Sequence, residues 1–501
     1  FWGNGTPMLT LVFVLALFGA THLHAQELPD PAAHFQRVMA NGHLRVEGQV
    51  TGEQFCWHAA HAADSFVDAY LASKDPAWLD QGAAYFDWLL SLMAMAPDGY
   101  RGFIGPYIYD EQFWCDVHVG DAILINPMLR FAEVVLADDA LKKTHGLRAQ
   151  RYVQLAERDL IEKWDQRGTW HDDGPQGSYR AWDRYLTPND LSTWHPSSDA
   201  KAGLSLPFNK QMDMGIAALR LYRITGQERY RQRAERIFQL FKSRLQFFAG
   251  GYTWNYWEPL GAWDIDRQEG RIRHWVNVHP TRNYQAREVA FVAEAYHTGQ
   301  VFTRADIERI IHTNLENMWN GDMEKPRWRN AGLGDKWAPQ AEGRAGALWS
   351  ALADFDARAR QLYAQHLTAG SIDHAYFYRV AATKEPSFAR HYATTGPEER
   401  GRALEPTQNL VMAAVLPRTS AADTEKLVVC KTATDGALKI ALHAADGTLL
   451  QTLYSGDIKG GDDGLEGIFW LVWDSAGRAP GTYEMRWTLG GEYRTYLVGI
   501  Q

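Results

Sequence analysis

The sequence predicts a mainly α-helical protein: an (α/α)6-7 toroid, an incomplete helical barrel, followed by a small C-terminal β-sandwich. Three observations predict it. Apolar residues recur at helical spacing in successive pairs of segments. The connections within and between those pairs alternate between short ones and long, aromatic, turn-rich ones. From about Glu425 the apolar period changes from that of helices to that of strands. Paired helices joined in this way curve into a double ring whose long loops gather at one mouth; an open α-solenoid is the other arrangement compatible with the pattern.

Helical periodicity starts near Glu53, with Phe55, Ala59, Ala62, Phe66, Ala69 and Tyr70 on one face. Trp78, Ala83, Phe86, Leu89, Leu90 and Met93 mark an antiparallel neighbour entered through Asp75-Pro76. A Gly/Tyr-rich loop leads through Trp114, Asp116, His118 and Asp121 into a third helix, and a fourth is expected over about Leu147 to Trp164. The segment from Trp170 to Leu206 reads as a long functional loop carrying Trp182, Tyr185, Trp194 and His195. Helices five and six carry Asn209 to Leu219 and Tyr230 to Leu240. Then come a helix through Ala286, Val289, Ala290, Ala293 and Tyr296, and another opened by the capping box Thr303-Arg-Ala-Asp306. Weaker helical patterns occupy Ala341 to Leu367 and Asp373 to Ala382. Short strands with an Asp446-Gly447 turn complete the chain. The expected division is residues 1–25 as upstream residues and signal peptide, 26–420 as the toroid, and 421–501 as the sandwich.

The composition, 46% hydrophobic and 22% charged, is that of a soluble globular protein. A net charge of −9 argues against a nucleic-acid partner. The apolar run Leu9 to Ala20, ending before Ala25-Gln26, has the length of a secretory segment rather than of a membrane span, so a secreted or periplasmic, monomeric protein is expected. Cys56, Cys115 and Cys430 have no zinc-type spacing, and no metal or other cofactor is expected; Cys56 and Cys115 either pair or stay as buried thiols.

Function concentrates between Tyr252 and Trp319. Trp254, Tyr256, Trp257 and Trp275 alternate there with His279, Arg282, Asn283 and Tyr284 at a loop-to-helix junction. Aromatic planes suit sugar rings, and backbone N–H groups at a helix start favour an anion. A uronic-acid polymer supplies an anion on every ring. Its cleavage by β-elimination needs a neutralised carboxylate, a base and an acid. Tyr284 would transfer protons, His279 would assist, and Arg282 and Asn209 would hold the carboxylate, with Lys210 on the second wall. Trp114, His118 and His195 are further candidates for substrate contact.

The runs Trp254-Asn-Tyr-Trp-Glu-Pro259, His274-Trp-Val-Asn-Val-His279-Pro-Thr-Arg-Asn-Tyr284 and Asn314-Leu-Glu-Asn-Met-Trp-Asn-Gly-Asp322 resemble helical-toroid polysaccharide lyases acting on glucuronan or alginate. The resemblance spans about Gly52 to Leu367 and implies a proton-transferring tyrosine with Asn, His and Arg around the carboxylate. The chain has Asn209-Lys210 where toroid alginate lyases open a helix with Asn-His, which leaves His279 or His195 to supply the imidazole. The run Trp473-Asp-Ser-Ala-Gly-Arg-Ala-Pro-Gly481-Thr-Tyr483 resembles the final hairpin of the immunoglobulin-like module of flagellar hook-capping proteins and exported bacterial enzymes. The expectation is therefore a polyuronate lyase. The alternatives are a glycoside hydrolase using two of Asp116, Asp121, Asp213, Asp264 and Glu258, a sugar epimerase using paired histidines, or a non-catalytic glycan-binding protein.

Overall fold

The computed structural model describes residues 51–329 apart from 109, 249, 277 and 279–282, and then 348–366, 410–418, 424–461 and 467–500. Helices α1 (Glu53–Ser73), α3 (His118–Leu136), α5 (Phe208–Thr225) and α7 (Asn283–His297) form the inner layer of a toroid. Each packs on the next, and α7 packs on a 3-10 turn, Ser350–Asp354, that precedes α9 (Ala357–His366). Outside them lie α2 (Ala77–Ser91), α4 (Asp139–Ala156), α6 (Glu228–Ser243) and α8 (Arg304–His312). Sequence decides the layer. Helix α5 is buried almost continuously from Phe208 to Leu221, as an inner helix packed on all sides must be. Helix α6 buries only a stripe, Tyr230, Ala234, Ile237, Phe238 and Phe241, and turns its charges outward.

The fourth helix starts earlier than its apolar pattern suggests. Asp138 caps it, Oδ1 accepting from the amides of Ala140 at 2.8 Å and Leu141 at 3.1 Å, and the first turns are polar. It continues through a π-helical segment, Glu157–Glu162, to Gln166. The stretch expected as a long loop is instead built of strands: β3 (Trp170–Asp173) pairs with β4 (Gln176–Tyr179), and β5 (Arg184–Thr187) with β6 (Asp190–Pro196). Strand β5 also joins the earlier hairpin of β1 (Gly105–Tyr107) and β2 (Asp110–Cys115), giving an antiparallel sheet ordered β1-β2-β5-β6. Cys56 and Cys115 are free thiols. Residues 1–50 and the helix expected over Asp373 to Ala382 lie outside the described residues, in which no helix is long and apolar enough to cross a membrane.

Two short hairpins follow α6: β7 (Gln246–Phe248) with β8 (Gly251–Thr253), and β9 (Ile265–Asp266) with β10 (Arg271–Ile272). The β-sandwich comprises a sheet ordered β11-β12-β15 (Leu410–Pro417, Glu425–Thr432, Ile468–Asp474) and a sheet ordered β14-β13-β16-β17 (Leu449–Ile458, Gly436–His443, Gly481–Leu489, Glu492–Ile500). Its first strand precedes Glu425, where the strand pattern becomes readable. Strand β12 is buried on both faces. Val428 and Cys430 join Ile440, Leu442, Met485 and Trp487 between the sheets, whereas Leu427 and Val429 pack on Ile265, Ile272 and Val276 of the β9–β10 region. Arg244 strengthens the joint, donating to the Tyr496 hydroxyl at 3.1 Å while lying 3.7 Å from Glu258. Leu427→Ala is expected to lower stability by about 2–5 kcal/mol, as deletion of a buried leucine side chain does. Urea unfolding followed by tryptophan fluorescence measures it.

Candidate active site

The N-terminal ends of the inner helices meet at one mouth. Glu53 opens α1, His118 opens α3, Asn209 and Lys210 lie in the first turn of α5, and Tyr284 lies in that of α7. A cavity of about 80 Å³ sits there, floored by Glu53, His118 and Lys210 and walled by Phe113, Trp182 and Asp199. Strand alternation explains why Phe113, and not Trp114, faces it. Trp114 packs on the other side with Ile104, Leu186 and Trp194. Beside the floor runs a train of rings: Trp57 stands edge-on to Tyr284 at 6.2 Å, Tyr284 lies 5.2 Å from Tyr256, and Tyr256 lies 6.4 Å from Trp275.

The charges at the mouth fall into two sets. One is closed. The fully buried Lys163 ammonium donates to Asp116 at 2.9 Å, to Asp121 at 2.5 Å and to the carbonyl of Arg101 at 2.9 Å, while Arg167 donates to Asp116 at 2.8 Å and to Asp98 at 2.8 Å. Burial alone would raise Asp116, but Lys163 and Arg167 outweigh it and hold the carboxyl down at about 2. Burial and the neighbouring Asp116 charge push Asp121 up to about 8. His118 stacks on Trp164 at 3.7 Å with Nε2 2.9 Å from Thr169 Oγ1; burial, then Lys163, holds it well below the usual imidazole range and therefore neutral.

The second set is open. Glu53 Oε1 accepts from Lys210 Nζ at 2.7 Å and from Trp57 Nε1 at 3.5 Å, while its Oε2, although enclosed, has no hydrogen-bond partner among the described residues. Asp199 Oδ1 accepts from the Lys201 amide at 2.6 Å on the facing loop. The Cys115 thiol feels both carboxylates: burial, then Glu53 and Asp199, pushes it up to about 12.

The expected site residues are distributed across several environments. Tyr284, Tyr256 and Trp275 form the ring train, and Lys210 and His118 line the cavity. Trp257 stacks on His274 at 4.2 Å and donates to the Ser205 carbonyl at 2.7 Å. His195 stands at the rim, 5.5 Å from Tyr185. His279 and Arg282 lie outside the described residues. One expectation needs correction. Trp254 is not a cleft residue: it is buried beside Phe241 and Trp349 and donates to Glu288 Oε2 at 2.5 Å. Asn209, next to the lining Lys210, is 0% exposed, and its Nδ2 and Oδ1 have no hydrogen-bond partner among the described residues. The five carboxylates expected for hydrolysis all have internal partners: Asp116 and Asp121 in Lys163, Glu258 in Asn255 at 2.7 Å, and Asp264 in Ser205 and two backbone amides; Asp213 meets Arg287 at 2.6 Å through Oδ1, while its Oδ2 has no hydrogen-bond partner among the described residues and it does not line the cavity at the mouth. The sequence does not single out the cavity carboxylates Glu53 and Asp199: Glu53 reads as a helix start, and the loop carrying Asp199 has no periodic pattern.

No protein-family model matches the chain, and no curated protein matches it. Solved structures similar to it include a cellobiose 2-epimerase from Spirochaeta thermophila (16% identity, 65% of this chain and 72% of that chain, TM-score 0.35). A GH76 α-mannanase from Bacteroides thetaiotaomicron matches at 13% identity over 65% of this chain and 68% of that chain, TM-score 0.36. A D-mannose isomerase matches at 12% identity over 70% of this chain and 84% of that chain, TM-score 0.38. By its own helix packing and sheets, the chain is an α/α-toroid protein with a C-terminal β-sheet region. The expected polyuronate lyase is overturned: these neighbours are an epimerase, a mannanase and an isomerase, none of them a lyase, and the alginate and glucuronan assignment falls with it.

Two outcomes are expected. Lys163→Met leaves two carboxylates without their ammonium and lowers stability by about 3–5 kcal/mol in chemical denaturation. Glu288 is pushed up to about 8 by burial, with Asp213 adding to the shift. Its contribution is therefore complete below its unfolded value of 4.5 and lost as pH rises through about 8. Glu288→Gln should flatten the fall in melting temperature across that window.

Proposed function

We propose that this chain is a glycoside hydrolase acting on a neutral glycan, with Glu53 and Asp199 as its carboxylate pair. The observation that carries the reading is Glu53 Oε2, an enclosed carboxylate oxygen without a partner in a cavity shared with Asp199. The other acids near the mouth are locked in ion pairs and amide bonds. Hydrolysis needs two carboxylates, one protonating the glycosidic oxygen and one activating water or attacking the anomeric carbon. Glu53, held against the Lys210 ammonium at 2.7 Å, suits the role of base or nucleophile, and Asp199 on the facing loop that of acid. Arg184, Lys201 and Lys210 around the cavity are opposed by Glu53, Asp116 and Asp199, so it lacks the cationic excess that a polyanion would call for. Trp57, Tyr256, Tyr284 and Trp275 offer faces for neighbouring sugar rings. Work on a polymer outside the cytoplasm, with Leu9 to Ala20 as the export segment, is part of this proposal.

The test is release of reducing ends from α- and β-linked mannans, glucans and xylans, with the anomeric configuration of the first product followed by proton NMR. Glu53→Gln and Asp199→Asn should each lower turnover by about 10²–10⁴-fold, the range of general acid–base contributions. Conversion of a free sugar into an isomer without new reducing ends, or undiminished hydrolysis in both variants, would refute it.

A further inference from the structure

A second cavity, of about 220 Å³, opens at the other end of the inner helices. Its walls come from the later turns of α1, α3, α5 and α7, whereas the mouth is built from their first residues. Four guanidiniums surround it, and each has a carboxylate. Arg130 pairs with Asp68, Arg220 with Glu294 at 2.6 Å, Arg223 with Glu133, and Arg287 with Asp213 at 2.6 Å. Arg220 also donates to the backbone carbonyl of Asn126 at 3.0 Å.

Among the residues that line the cavity two acceptors are left over; Asp213, which does not line it, also has one oxygen, Oδ2, without a partner among the described residues. Asp64, half-buried on the wall, has no hydrogen-bond or ion-pair partner among the described residues. Asn126 is 2% exposed; its Nδ2 donates to the Asp213 carbonyl at 2.9 Å, and its Oδ1 has no partner among the described residues. The surplus of the ring is thus one negative charge and one buried carbonyl-type oxygen, set against the apolar surfaces of Val67, Ala290 and Phe291.

From this surplus we infer that the far cavity is a binding site for a small protonated amine of monosaccharide size, such as a hexosamine, distinct from the site at the mouth. The ammonium would pair with Asp64, a donor on the ligand would meet Asn126 Oδ1, and the carbon skeleton would lie against Phe291. A neutral sugar would leave Asp64 with only the longer-range attraction of Arg130, which is already paired with Asp68, and an anion would face it directly.

Titration calorimetry and saturation-transfer NMR on the full chain, with glucosamine as probe and glucose and glucuronate as controls, test the inference. Saturable binding of glucosamine is expected, at least about tenfold tighter than that of either control, a difference of about 1.4 kcal/mol. Asp64→Asn should remove that preference, and Asn126→Leu should weaken binding in a protein whose melting curve shows it folded. Glu53→Gln, at the opposite end, should leave the binding unchanged whether or not the mouth hydrolyses glycans. Equal affinity for glucose and glucosamine, no saturable binding, or a preference that survives Asp64→Asn would overturn the inference. So would loss of glucosamine binding in Glu53→Gln with Asp64→Asn unaffected.

Discussion

The mouth of the toroid depends on one buried ammonium. Lys163 comes from the end of the fourth helix, yet its three donors end on Asp116, Asp121 and the Arg101 carbonyl, which belong to the start of the third helix and the loop before it. An ion of this kind is expensive to bury and is kept only where every donor is used. Here the geometry fixes where α3 begins, and with it the position of His118, the sheet β1-β2-β5-β6 and the wall carrying Phe113. The cluster has no free acceptor for a substrate. Its role is to hold the frame in which Glu53 and Asp199 are left open.

The contrast between closed and open carboxylates is the main argument about chemistry. Sequence inspection favours acids near aromatic runs, and Asp116, Asp264 and Glu258 qualify on that ground. In the structure these are the acids that hold loops in place. Asp264, for instance, receives the Ser205 amide and hydroxyl as well as the amides of Leu260 and Gly261. Glu53 has a lysine and Trp57 on one oxygen and, among the described residues, no partner on the other; Asp213 shares that pattern but, unlike Glu53, does not line the cavity at the mouth.

Much of the architecture was legible in the chain. The stretches Phe55 to Tyr70, Asn209 to Leu219 and Ala286 to Tyr296 are legible as helices because apolar residues recur in them at helical spacing. The Thr303 capping box was readable because both of its bonds are local. The strands between Trp170 and Pro196 were not readable: they are short, half-exposed and rich in Asp, Gly and Trp, so no alternation stands out. The candidate site was legible only in part. Tyr256, Tyr284 and Trp275 do gather in one train, but Trp254, two residues before Tyr256, turns into the core. One position along a helix or strand reverses a side chain's surroundings, and no single sequence marks which of two neighbours faces the opening.

The joint between toroid and sandwich bears on how the protein is made. Ile265, Ile272 and Val276 present their apolar side to Leu427 and Val429, on a strand that the ribosome adds long after the hairpin itself. Until then that hairpin has no cover from the sandwich. The growing polypeptide therefore carries an unfinished apolar surface while the intervening chain is made, and the joint closes only once β12 has emerged.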